Sequence, residues 1–302
     1  MNHKHLLTLL ALASVSAVSG RAQIFSENFG NLAPGTAIST GNTGFTLVRT
    51  LGEPSLVEAI SSTVGTGSSL RIVSTVSNLS GSYVGVGVDD LAGGDVATLS
   101  FTVKSANWRT NHGLIIALGG SSTANGFYDA SGNMSGSSPG TIYNESLFAV
   151  RLMGNSNAGS NPNSAALQLA GSSAWEVPAS DSPGANVIAN GVAVNFHFVI
   201  NGGSSSLSVD DVVIDAGKVA VWLDGQYLAS YDVPGNADAT SLRIFAHGRG
   251  GSHTTTLDVE IDDLRIWNGA VAFGSQIPEP SSFAAVLGLG ALAGVAFRRR
   301  RA

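Results

Sequence analysis

The chain has 302 residues, 38 glycines, no cysteine and a formal net charge of −6. Without its two ends, residues 23–276 carry nine Lys and Arg against twenty Asp and Glu, near −11. That balance excludes the basic face on which nucleic-acid phosphates are bound. No disulfide can brace the fold, so about 250 residues must bury a core of their own, a length sufficient for one large domain.

The N-terminus opens with a short basic stretch, Met1-Asn2-His3-Lys4-His5, and an apolar run from Leu6 to Val18. The run is too short to span a bilayer comfortably. Small residues follow at Gly20 and Ala22, the two positions a signal peptidase reads. Residues 1–22 are predicted to be a signal-peptide helix, cut between Ala22 and Gln23, with the bond after Ser19 as the competing site.

Next come segments of alternating polarity. Ala97, Leu99, Phe101 and Val103 oppose Thr98, Ser100, Thr102 and Lys104. Val192, Val194, Phe196, Phe198 and Ile200 oppose Ala193, Asn195, His197 and Val199. Leu242, Ile244 and Ala246 oppose Arg243, Phe245 and His247. A period of two places one face on a core and leaves the other wetter. Further strands are predicted at 70–76, 83–88, 114–118, 147–153, 165–170, 207–214, 218–223, 227–233 and 256–267. Residues 121–140 and 154–164, rich in Gly, Ser and Asn, read as long loops at one end, and residues 202–206 as a shorter linker. Asp224-Gly225 is the clearest hairpin turn, because a type I′ turn needs positive φ at its centre. Near the end, Leu257, Val259 and Ile261 share one parity, and Leu264 and Ile266 the other. The slip at Asp262-Asp263 predicts a β-bulge. A dozen short strands with turn residues between them predict an all-β, two-sheet antiparallel sandwich over residues 23–276.

Residues 277–302 form a different unit. Pro278-Glu279-Pro280 fixes φ and removes backbone donors, so a helix can start only beyond it, with Ser281 or Ser282 as N-cap. Residues 283–297 carry no charge, and a helix over the run with its N-cap is roughly 24 Å long. That is short for a bilayer core but workable with snorkelling flanks. Arg298, Arg299, Arg300 and Arg301 follow and stay on the cytoplasmic side. The sequence therefore predicts a C-terminal transmembrane helix in contact with membrane lipid, with the domain on the far side of the membrane from the arginines.

The order Pro278-Glu279-Pro280, apolar helix, Arg298 to Arg301 resembles the PEP-CTERM sorting signal of Gram-negative bacteria. The resemblance implies processing by an exosortase after signal peptidase has acted, and export to the cell surface or extracellular matrix in bacteria that make exopolysaccharide. It says nothing about the cargo. Residues 25–29 (Phe-Ser-Glu-Asn-Phe), the 221–225 hairpin (Val-Trp-Leu-Asp-Gly) and the closing 261–266 segment (Ile-Asp-Asp-Leu-Arg-Ile) resemble the concanavalin-like, laminin-G-like jelly roll. That resemblance implies paired first and last strands.

Few residues carry chemistry. Gly136-Ser137-Ser138-Pro139-Gly140 fits G-x-S-x-G but lies in a Gly/Ser loop, where a nucleophile elbow needs a strand and a helix. Asp258, Glu260 and Asp262 alternate on one strand face, roughly 7 Å apart in steps of two. A glycan-acting hydrolase could use such a pair; the strand resembles the acidic strand of glycoside hydrolase family 16 only poorly, since that pattern has glutamates at its ends where Asp258 and Asp262 stand here, and the face can equally be solvated. Glu27 with Asp262 or Asp263 could share a structural Ca²⁺, since hard oxygen ligands suit it. The histidines show no metal-binding spacing. Of Trp108, Trp175, Trp222 and Trp267, Trp222 faces away from Val221 and Leu223 and is the best candidate for stacking on a sugar. The sequence reading is an exported, non-enzymatic surface or matrix protein with no catalytic residue assigned. Its role is structural or adhesive, with exopolysaccharide as a candidate ligand; a hydrolase is the alternative.

Overall fold

The computed structural model describes residues 22–49, 56–74, 83–92, 94–108, 112–119, 146–154, 164–170, 175–176, 188–232, 238–248 and 257–274. Among these residues every regular element is a strand. In chain order they are β1 (Ala22–Glu27), β2 (Leu47–Arg49), β3 (Leu56–Ser61), β4 (Ser68–Ser74), β5 (Tyr83–Leu91) and β6 (Val96–Ser105). Then come β7 (His112–Gly119), β8 (Ser146–Gly154), β9 (Ser164–Ala170), β10 (Trp175–Glu176), β11 (Ile188–Ala189) and β12 (Val194–Asn201). The last six are β13 (Leu207–Val209), β14 (Val212–Ile214), β15 (Lys218–Leu223), β16 (Gln226–Asp232), β17 (Ala239–Gly248) and β18 (Leu257–Asn268).

These strands build a jelly-roll sandwich of two eight-stranded antiparallel sheets. The first runs β16-β15-β12-β6-β18-β4-β3, with β1 also paired to β18. The second runs β10-β9-β8-β7-β17-β5-β2, with β11 on β9. First and last strands pair as expected, Glu27 lying opposite Leu264 and Ala22 opposite Asn268.

The alternation seen in the sequence becomes the core. Ala97, Leu99, Phe101 and Val103 of β6, Phe196, Phe198 and Ile200 of β12, and Leu242, Ile244 and Ala246 of β17 are fully buried in one cluster between the sheets. Aromatic rings cross it. Phe101 lies 5.4 Å from Phe196, and Phe148 of the second sheet lies 5.0 Å from Phe198 of the first. Such rings bury large apolar area and gain further from tilted or offset contact.

The turn at Asp224-Gly225 has φ of 48° and 83°, the conformation a type I′ hairpin requires. It joins β15 to β16 with Leu223 opposite Gln226. The predicted single strand over 207–214 is instead a hairpin, β13 paired with β14. Asp210 and Asp211 turn it at φ of 47° and 63°. Asp tolerates the left-handed region better than most residues, so this pair plays the role of Asp224-Gly225.

The predicted bulge is present. Asp263 has φ 51°, and the β18–β6 register shifts between Asp262 and Arg265. Its position has a structural cause. On its other edge β18 pairs with β4 from Leu257 to Ile261 and with β1 from Leu264 to Asn268. The bulge lies where one neighbour hands over to the other.

Candidate functional site

Leu257, Val259 and Ile261 of β18 point into the core, so Asp258, Glu260 and Asp262 lie on the outer face of the first sheet. They do not form an open, solvated row there. Glu260 and Asp262 are buried, at 7% and 2% exposure, beneath the turn between β3 and β4. Glu260 accepts hydrogen bonds from the Thr63 backbone N–H (2.6 Å), the Ser69 hydroxyl (2.6 Å) and the Thr63 hydroxyl. Asp262 accepts from the Ser62 hydroxyl at 2.9 Å and from the Asp263 N–H at 2.8 Å. Asp258 holds Arg71 through two bonds of 2.9 and 2.7 Å, and Arg71 also reaches Glu58 at 3.0 Å. The alternating carboxylates thus pin the β3–β4 hairpin to the sheet. Burial pushes the Asp262 carboxyl up to about 6, against the opposing pull of its bonds from Asp263 and Ser62.

Glu27 also serves the backbone. One oxygen accepts from the Phe29 N–H at 3.0 Å, the other from the Gly44 N–H at 2.8 Å. Phe29 sits at φ 54° and is buried against Phe45, so Glu27 holds a strained turn in place. Asp263 pairs with Arg265 at 2.9 Å. Among the described residues no three His, Asp or Glu side chains gather into a metal site.

Trp222 does face away from the main core, as its parity requires, but it is buried at 2% exposure and presents no open face to a sugar. With Val199 and Ala220 it forms a second apolar cluster, covered by Val209 and Ile214 of the β13–β14 hairpin and by Phe273. Trp108 and Trp267 are buried too.

Phe273 belongs to a strap, residues 269–274, that folds back over the outer face after β18. Gly269 makes the reversal at φ 103°. The Thr98 hydroxyl donates to the Gly269 carbonyl at 2.8 Å and accepts from the Val271 N–H at 3.0 Å. His197 Nε2 lies 2.7 Å from the Val271 carbonyl, and the Phe273 N–H donates to Asp210 at 2.8 Å. A carbonyl only accepts, so Nε2 carries the proton. Burial lowers the His197 pKa and favours the neutral ring, despite the bond to Val271.

Between the strap and the sheet lies a half-open cleft of about 110 Å³, lined by Ser100, Asn195, His197, Arg265, Trp267 and residues 271–274. β6 runs along its floor. Ser100 lies opposite His197 on one side and Arg265 on the other. The sequence reading missed this site. Its polar residues each sit on the outward parity of a strand, but only the pairing of β6 with both β12 and β18 brings them together.

The sorting-signal residues Pro278, Glu279, Pro280 and Arg298 to Arg301, residues 1–21 of the predicted signal peptide 1–22, the G-x-S-x-G segment and the predicted loop 121–140 lie outside the described residues. So do the Trp175 side chain and those of His112, His247 and His253. Ala22 and Gln23, flanking the expected cleavage bond, open β1 opposite Asn268 and Trp267. Among the described residues no helix is long and apolar enough to cross a membrane.

Residues 276–301 match the PEP-CTERM protein-sorting motif. The chain therefore carries a PEP-CTERM sorting tail behind a jelly-roll sandwich. No curated protein sequence matches it. Among solved structures it is similar to the carbohydrate esterase vb_24B_21 from Shiga toxin-encoding bacteriophage phi24B, at 13% identity and a TM-score of 0.50, covering 83% of this chain and 100% of that one. The carbohydrate recognition domain of Emp47p matches at 14% identity and a TM-score of 0.45, covering 84% of this chain and 100% of that one. A sialidase matches at 11% identity and a TM-score of 0.45 over 82% of this chain, which spans only 18% of the sialidase's length. At these identities the likeness speaks to the fold alone.

Proposed function

We propose that the chain is an exported protein that an exosortase processes at the inner membrane for display at the cell surface or in the extracellular matrix. Its sandwich acts there as a non-catalytic, adhesive, saccharide-binding module. The observation that carries this reading is the sorting motif at residues 276–301, two residues beyond the end of the strap. An apolar helix over 283–297 holds the chain in the bilayer, and Arg298 to Arg301 keep its end cytoplasmic until the tail is cut. A binding role fits the acidic strand, where Glu260 and Asp262 are buried and committed to the β3–β4 turn. It also fits the fold likeness to a protein described as a carbohydrate esterase, whose reaction is not carried over to this chain.

The test expresses the full-length chain in an exosortase-containing bacterium and in the same strain lacking the enzyme. Chain size, membrane fractionation and surface exposure are followed, and the released protein is tried on a glycan array and in a reducing-sugar assay. Shortening and surface release only when exosortase is present, with glycan retention and no new reducing ends, is the expected result. Equal processing in both strains would remove the sorting role. Release of reducing ends would replace the binder with a hydrolase.

A further inference from the structure

We propose that the strap over residues 269–274 is an acid-sensitive clasp: it lies closed on the outer face of the first sheet at neutral pH and loosens when His197 takes up a proton.

Geometry makes His197 the titratable link of the clasp. It stands on β12, opposite Ser100 of β6 on one side and Trp222 of β15 on the other. The residue is 2% exposed. Two aromatic rings meet it at steep angles, Trp222 from the sheet and Phe273 from the strap, each with its centroid 5.7 Å away. Nε2–H donates to the Val271 carbonyl at 2.7 Å. One side chain therefore touches both the strap and the small core that the strap covers. The strap's other bonds run to the Thr98 hydroxyl, to the Val96 carbonyl from the Gly269 N–H at 2.6 Å, and to Asp210.

Nε2 holds its proton in either state, so a second proton must go to Nδ1. That step places a full positive charge among apolar rings, and a buried charge is costly unless it is paired. The surrounding elements offer little compensation. The strap carries no charged residue, and β6 presents only Thr98 and Ser100 here. On β18, Arg265 lines the same cleft and opposes a second cation, although Asp263 holds it at 2.9 Å. The β13–β14 turn brings Asp210 and Asp211; Asp210 attracts the proton but is bonded to the Phe273 N–H. Asp224 of the β15–β16 turn accepts from the Asn195 N–H, Tyr227 packs on Trp222, and Lys218 of β15 pairs with Asp232. Burial outweighs the pull of Val271 and Asp210, so the closed strap holds a ring whose pKa is lowered. A group whose pKa is depressed in the closed state favours closure only while it stays unprotonated. The strap is thus held in full above about pH 6.5, the ordinary histidine value, and loses hold as pH falls below it.

Loosening has two consequences. It thins the cover over Trp222, and it adds about 20 Å of reach to the chain that leads into the sorting motif at residues 276–301. Acid therefore lengthens the tether between sandwich and tail.

The test follows amide hydrogen exchange of the full-length chain in detergent at about pH 7.5 and about pH 5, with rates corrected for the intrinsic effect of pH. Protection of the Gly269, Val271 and Phe273 amides should fall about fivefold at the lower pH. The β3–β4 turn, which protonation of Asp262 steadies, should lose none. His197→Gln can still donate to Val271 but cannot titrate, and should hold strap protection constant. Asp210→Asn should keep the acid response. Should His197→Gln fold poorly, ¹⁵N NMR of the unaltered chain decides, because the His197 ring should titrate over the pH range in which the strap loosens. Strap protection that ignores pH, an acid response that survives in His197→Gln or vanishes in Asp210→Asn, or a ring that stays neutral while the strap loosens each overturns the clasp. A loss shared by the core amides of β6 and β17 overturns it as well, since that is acid unfolding of the whole sandwich.

Discussion

A carboxyl group buried on the outer side of a sheet needs donors, and burial can still raise its affinity for a proton; β18 shows both effects. Glu260 is saturated by three donors from the β3–β4 hairpin, so Glu260→Gln should destabilise the fold by about 1–3 kcal/mol, read in denaturant melts. Asp262 is the other case. Its pKa of about 6 means that the folded chain holds the proton more tightly than the unfolded one. Protonation therefore favours folding, and stability is lost as pH rises from about 4 through 6. Asp262→Asn should raise stability at pH 7.5 by on the order of 2 kcal/mol and leave it unchanged at pH 4, seen as a melting difference that vanishes on acidification. The turn above it needs glycine. A Cβ on Gly65 would stand 2.5 Å from Asp262 Oδ2, so Gly65→Ala should cost about 1–3 kcal/mol.

At the scale of elements, the strap and the β13–β14 hairpin turn an exposed sheet face into a second small core around Trp222. Thr98 is the hinge of this cover, bonding the strap at both Gly269 and Val271. Thr98→Val keeps the shape and removes both bonds. It should lower stability by about 1–2 kcal/mol and expose Trp222, measured as a red-shifted emission. The β15–β16 turn touches the same cover. Gly225 has φ 83°, and a Cβ there would lie 2.9 Å from Phe273. Elements differed in how legible they were. β6, β12, β17 and the β15–β16 hairpin were readable because period-two burial and an Asp-Gly turn are local signals. β3 was not, since its inward positions include Ala59 beside Val57, and alanine marks strands weakly. The 207–214 hairpin was read as one strand because Asp210-Asp211 lacks the glycine that usually marks a type I′ turn.

For the whole molecule, the proposed export depends on two short ends, and the proposed binding role falls to the sandwich between them. Replacing Glu279 by Ala, or Arg298 to Arg301 by Ala, should abolish tail removal without altering the thermal unfolding of the sandwich. Immunoblots of fractionated cells together with calorimetry check this. Of the sites weighed from sequence, the sorting tail was fully readable. The acidic strand was seen, but its bonding to a turn some 200 residues away was not, and the cleft was not seen at all.

The amino-acid order alone determined the address, the all-β class and which side chains face the core. Each depends on signals a few residues long: a linear motif read by membrane machinery, a period of two, a turn dipeptide. Tertiary structure alone decided which outward-facing residues stay wet. Glu260, Asp262 and Trp222 share the outward parity of Ser100 and Asn195. A hairpin turn and a strap cover the first three, while a gap beneath the strap leaves the other two beside open space. Such cover arises from packing between segments distant in the chain, and no local pattern encodes it.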